Sequence, residues 1–341
     1  MTITLDAQAG AGSSPGADAT GSATAATGRH GKPGPYVMMR RIVLGGLFSV
    51  NLVGAYVLGG MLMTESIDDD LAFTPPQAIE GGLASVDMTV ALIEREVNDH
   101  AWVANEPGFM PGAWLPNMRY YQQGLVYGLS RFAFELADTL GRSRGATAVD
   151  PDLDRAAGLL RFPGDVWVFD FEKTWTPVVT SEEQYLSAAR ALATYNTRIA
   201  SGQAVFDPRQ DNLYAALARF EADVSSKINV LADHVEQTAL GERVSSSSNE
   251  VFYNTKGRLY AYAMLLKAME QDFGQIIERE GLGLVWSRMI QSFENAAAMH
   301  PLIVTNSPPG SVFVPNHVTE LGFFALRAKT QLRDVMSVLA Q

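Results

Sequence analysis

Apolar residues recur every three to four positions through most of the chain after residue 80, the spacing that places them on one face of an α-helix. Leu83, Val86, Val90, Ile93 and Val97 form one such series, and Leu125, Leu129, Phe132, Leu136 and Leu140 form a second. Gly141 follows the second series where a helix stop belongs. A third segment opens on Ser181-x-x-Gln184, a capping-box pattern, and closes at Gly202. The same periodicity predicts helices over 211–240, 249–280, 283–299 and 316–340. Strand patterning is sparse. Asp165–Phe171 alternates and reads as one short strand or an extended connector, and 301–316 is a loop rich in Pro and Gly. No repeat of about 34 residues is present, so a solenoid is not supported. The pattern predicts an all-α fold: a large helical bundle with long loops, with 165–180 as a place where two sub-bundles could divide.

The pattern before residue 72 is different. Residues 1–41 are mostly Gly, Ala, Ser and Thr, with too little apolar surface to offset ordering entropy, and are read as a disordered tail. Ile42–Thr64 then runs 23 residues without a charge. At 1.5 Å per residue this is roughly 35 Å of helix, enough to cross a hydrocarbon core of about 30 Å with some tilt. Lys32, Arg40 and Arg41 precede the run, and Glu65, Asp68, Asp69 and Asp70 follow it. By the positive-inside rule the tail is cytoplasmic and residues 72–341 lie outside. The run is too long for the apolar part of a cleavable signal, and "LGGMLMTES" is a poor cleavage site, so the helix is read as an uncleaved anchor. Gly45 and Ser49, and Ala55 and Gly59, are spaced for close helix approach, and Asn51 can hydrogen-bond across a helix pair. Self-association through this helix is one reading; the frequency of Gly in membrane helices is the other.

Composition narrows the function. Charged residues are 18% of the chain and net charge is −11. No basic run exceeds Arg40-Arg41, so a nucleic-acid partner is not expected. There is no cysteine, which removes disulfides, thiolate metal sites and cysteine nucleophiles.

Three local motifs carry a resemblance. They are "WLPNMRYYQQGLVYGLSRFAFELADTLGRSRG" from Trp114 to Gly145, "VDPDLDRAAGLL" after it, and "YNTRIASGQAVFDPRQDNLYAAL" from Tyr195 to Leu217. Together they resemble the bacterial domain-of-unknown-function family 2333. The resemblance implies a helical domain at the bacterial inner membrane and brings no activity with it. The long Gly/Ala tail departs from the family pattern.

Candidate chemistry is thin. Arg142 and Arg144 in "GRSRG" could hold an anion by bidentate hydrogen bonds, or could complement a helix C-terminus capped by glycine. Asp150, Asp152 and Asp154 could pair with them and open the next helix. Arg209, Asp211 and Asn212 sit at another helix start, where Asp or Asn caps. If the two groups converge, Arg142, Arg144, Asp150, Arg209, Asp211 and Asn212 form a polar ligand site. The histidines show no metal-ligand spacing, and "DHVE" at 233–236 reads as a solvated face. Glu94 with Glu96 and Glu278 with Glu280 read as solvent-facing pairs. No nucleophile elbow or phosphate loop is present, and no metal or cofactor is expected. The preferred reading is a non-enzymatic envelope interaction or scaffold protein of the inner membrane. The alternative is a periplasmic ligand-binding or hydrolytic domain using the Arg/Asp cluster.

Overall fold

The computed structural model describes residues 35–63, 67–140, 149–169, 174–238, 246–307 and 315–341. The chain divides into two compact units, 1–52 and 53–341, and the division falls inside the first helix. Among the described residues there are ten α-helices and only isolated β-bridges. The fold is all-α.

Helix α1 is Pro35–Met63. The 26 residues Pro35–Gly60 are long and apolar enough to span a membrane, and none of that apolar window is buried in protein. Asn51 donates to the Leu47 carbonyl of its own helix at 2.8 Å, which satisfies one amide proton locally.

The helices of the second unit are α2 (Ala84–Glu94), α3 (Pro116–Glu135), α4 (Pro151–Leu159), α5 (Ser181–Ala200), α6 (Gln210–Thr238), α7 (Ser246–Asp272), α8 (Gly274–Arg279), α9 (Gly283–Ala297) and α10 (His317–Leu339). One continuous core runs from Leu83 to Leu339, so there are not two sub-bundles. Its axis is α7, which buries Phe252, Leu259–Leu266 and Met269 and packs against α2, α3, α6, α9 and α10. A helix buried on every side belongs at the centre of a bundle.

Glycines set the tightest crossing. A methyl group on Gly124 of α3 would collide with the Asn254 carbonyl of α7, and one on Gly257 of α7 would collide with the Tyr121 carbonyl of α3. Gly128 meets Ala261 one turn further on. The two backbones therefore approach as closely as glycine permits.

Several local expectations shift. The cap of α5 is Thr180 with Glu183, one residue earlier than Ser181 with Gln184. Ser181 is buried instead, and its hydroxyl donates to the Pro163 carbonyl at 2.7 Å. Of Asp165–Phe171, Asp165 lies in a turn and Val168 in a bend, and one isolated bridge joins Phe169 to Pro177; Asp170 and Phe171 lie outside the described residues. The 301–316 loop is closed by a bridge from Asn306 to Asn316. The 249–280 stretch breaks at Phe273 into α7 and α8.

Candidate functional site

The sequence-predicted residues fall into separate groups. Arg142 and Arg144 lie outside the described residues. Asp150 caps α4 by accepting from Asp152 N at 3.0 Å, and it pairs with Arg198 of α5 at 2.6 Å. Burial opposes the charge on Asp150, but the Arg198 hydrogen bond and charge together with the backbone N–H groups of Asp152 and Leu153 outweigh it and hold the carboxyl below its ordinary range. Arg209 pairs with Asp207 at 2.8 Å and Asp211 at 3.2 Å, and donates to Asn212 Oδ1 at 3.2 Å. Asn212 donates to the Asp207 carbonyl at 2.9 Å. Asp150 and Arg209 share no hydrogen bond or ion pair among the described residues. Each group joins a helix start to what precedes or flanks it.

Two other polar regions are built more deliberately. The first gathers around Asp68 and Asp69, in the segment following α1. Helix α2 continues into a π turn, Arg95–Asp99, and such turns re-aim side chains relative to the α-helical register. Arg95 is buried here beside Glu96, which is 0% exposed; this corrects the reading of Glu96 as solvent-facing. Arg95 donates to Glu96 Oε1 at 2.9 Å, to Tyr260 Oη at 2.9 Å and to the Asp68 carbonyl at 2.9 Å. Its guanidinium also lies 4.8 Å from the centre of the Phe73 ring. Gln122 donates to Glu96 Oε2 at 3.3 Å. Burial pushes the Glu96 carboxyl up, against the pull of Arg95.

The same segment is held at further points. Tyr121 donates to the Asp68 carbonyl at 3.0 Å and Tyr260 to the Asp70 carbonyl at 2.8 Å. Lys267 donates to the Leu71 carbonyl at 2.6 Å. Lys256, 1% exposed, pairs with Asp69 at 2.5 Å and donates to the Met299 carbonyl. Burial lowers the Lys256 ammonium, and Asp69 opposes that shift. Residues read as topology signals, Asp68 and Asp69, are thus also the counter-ions of a buried network.

The second region is an open cleft of about 410 Å³ beside the α3–α7 crossing. Arg131 and Tyr127 come from α3, Arg258 and Asn254 from α7, Arg161 from the turn after α4, and Tyr185 from α5. Its lining holds three arginines and no carboxylate. Arg258 is 7% exposed, donates to Asp223 at 2.7 Å, and packs 3.6 Å from the centre of the Tyr127 ring. Its Nε is buried with no hydrogen-bond partner. Arg131 and Arg161 make no ion pair among the described residues, and Arg161 stacks on Phe134 at 4.6 Å. Nearby, Lys227 donates to Asn254 Oδ1 at 2.7 Å, and burial, reinforced by Arg258, pushes its ammonium down to about 8.

Sequence reasoning missed both regions because their members are far apart in the chain. One signal was present. Gly124 and Gly128, four apart on α3, mark the face that touches another helix, and Tyr127 and Arg131 flank that face. His234 is a further correction: it is buried and hydrogen-bonded to Ser248 at 2.8 Å rather than solvated. Among the described residues no three His, Asp or Glu side chains gather to hold a metal ion.

No curated protein and no solved structure matches the chain. A family model described as "Uncharacterized protein conserved in bacteria (DUF2333)" matches residues 98–250 and 245–341. These matches span most of the helical unit, including both α3 and α7 and every arginine of the cleft, and the chain belongs to this bacterial family.

Proposed function

We propose that the chain is a single-pass protein of the bacterial inner membrane, with its tail in the cytoplasm and residues 72–341 in the periplasm, where the helical domain binds other envelope components without catalysing a reaction. The observation that carries this reading is the apolar helix α1, unburied in protein, with cations before it and acids after it. Lipid is the solvent such a surface prefers, and the charge asymmetry sets its direction. The network around Asp68 and Asp69 supports a tethering role. A domain that must stay in place relative to its anchor benefits from a fixed exit segment, and this one is held by Arg95, Lys256 and Lys267. Exposed apolar side chains support an interaction role. The exposed Trp114 and Leu302 line one cleft together with Ile67, and Phe109 is exposed as well. Pairing of two chains through Ala55 and Gly59 is compatible with this reading.

The test is crosslinking in intact cells with a membrane-impermeant, amine-reactive reagent, after permeabilising the outer membrane. The reading predicts discrete adducts between this chain and other envelope proteins. Adducts formed only by a permeant reagent, and only with cytosolic proteins, would overturn it.

A further inference from the structure

The arginine-lined cleft is a surplus of positive charge in a chain of net charge −11. Arg131, Arg161 and Arg258 face one space of about 410 Å³ whose lining contains no Asp or Glu. Asp223, the buried carboxylate that Arg258 meets, is already shared between Arg258 at 2.7 Å and Tyr262 at 2.8 Å. Gathering like charges costs energy, and Arg131 and Arg161, with no carboxylate partner among the described residues, leave room for a counter-ion from outside. The buried, unpartnered Nε of Arg258 points the same way, because a donor hidden from water and unpaired costs stability.

The rest of the lining limits the ligand's shape. The Gln123 side-chain amide makes no hydrogen bond among the described residues, and the Asn254 side-chain nitrogen likewise donates to none, so both can donate to an incoming oxygen. Tyr127 and Phe162 offer apolar ring surface, and Tyr127 already packs on Arg258. The volume lies within the roughly 300–1,000 Å³ usual for small-molecule sites. Planar guanidiniums in a fork suit the paired oxygens of a phosphoryl group.

We propose that the cleft between α3, α7 and the turn after α4 binds a phosphate-bearing ligand, with Arg131 and Arg161 as its main charge partners, Arg258 beneath them and the amides of Gln123 and Asn254 on its neutral part. This goes beyond membrane tethering and holds whichever side of the membrane the domain occupies. A soluble phosphorylated sugar and a phospholipid headgroup share the chemistry, and the test separates them.

Full-length protein in an uncharged detergent is titrated calorimetrically with inorganic phosphate, glucose 6-phosphate and glucose. It is also tested for binding to vesicles of phosphatidylglycerol and of phosphatidylcholine. Arg131→Gln, Arg161→Gln and the double variant are compared, with their melting temperatures checking that they fold. The proposal predicts that glucose 6-phosphate binds and glucose does not, and that each single variant weakens binding roughly 10- to 100-fold. Binding confined to phosphatidylglycerol vesicles and lost in the double variant supports the same site with a lipid source. No binding to any phosphate-bearing probe, or equal binding by the folded double variant, overturns the proposal.

Discussion

The two polar regions of the helical unit are built from the same residue types and balanced in opposite ways. Around Asp68 and Asp69, Arg95 and Lys256 each meet a carboxylate, and Tyr121, Tyr260 and Gln122 take up remaining donors and acceptors. In the cleft, of the three arginines only Arg258 meets a carboxylate, Asp223, among the described residues. A closed network specifies where a segment sits, because any other placement strands a buried charge. An unbalanced one keeps binding capacity in reserve. The comparison separates holding from binding within one core.

The largest effect that can break this comparison is at Arg95. Arg95→Met leaves Glu96 buried without its cation, and unfolding in urea should show a loss of about 3–5 kcal/mol. Burial already raises the Glu96 carboxyl in the folded chain. A raised acid binds its proton more readily folded than unfolded, so the variant's deficit should shrink as pH falls. A deficit independent of pH would place the loss in packing instead. Next comes the crossing that positions the cleft. Gly257→Ala pushes a methyl into the Tyr121 carbonyl, and overpacking of this kind should cost about 1–3 kcal/mol, read as a lower denaturation midpoint.

Lys227 gives a smaller and pH-specific effect. Burial, with Arg258 close by, pushes its ammonium from 10.5 down to about 8. The folded chain then releases this proton before the unfolded chain does, so this group adds stability as pH rises from about 8 to 10.5. Denaturation of wild type and Lys227→Met at the two ends of that range should show the difference moving in favour of wild type. The smallest effect sharpens the contrast. Arg131→Gln removes a cation that has no carboxylate partner among the described residues, and should leave stability within about 0.5 kcal/mol of wild type. A large loss there would mean the cleft is as closed as the network around Asp68.

Much of the fold was readable from the chain. The segments α9 and α10 match their apolar periodicity almost to the residue, since each buries one stripe and exposes the rest. Helix α7 was legible as a helix but not as the axis of the bundle, because periodicity gives a face and α7 buries every face. Glu96 was misread on its charge alone: it follows the buried Ile93 and Leu92 by three and four positions, on the inward face, and its cation Arg95 is its chain neighbour. Ser181 and Thr180 both fit a cap, and only tertiary partners for the Ser181 hydroxyl decide between them. The site was the least legible part. Asp150 pairs with Arg198, 48 positions away, and Arg131 shares its cleft with Arg258, which no local motif announces.

The central claim is that α1 carries the helical unit across a membrane. The chain has no cysteine, so a single introduced thiol reports its own side. Ser201→Cys, at an exposed turn after α5, and Ser14→Cys, in the tail, are treated in outer-membrane-permeabilised cells with a membrane-impermeant maleimide. The account predicts labelling of the Ser201→Cys chain in intact spheroplasts and of the Ser14→Cys chain only after lysis. Labelling in the reverse order, or of neither until lysis, would contradict it.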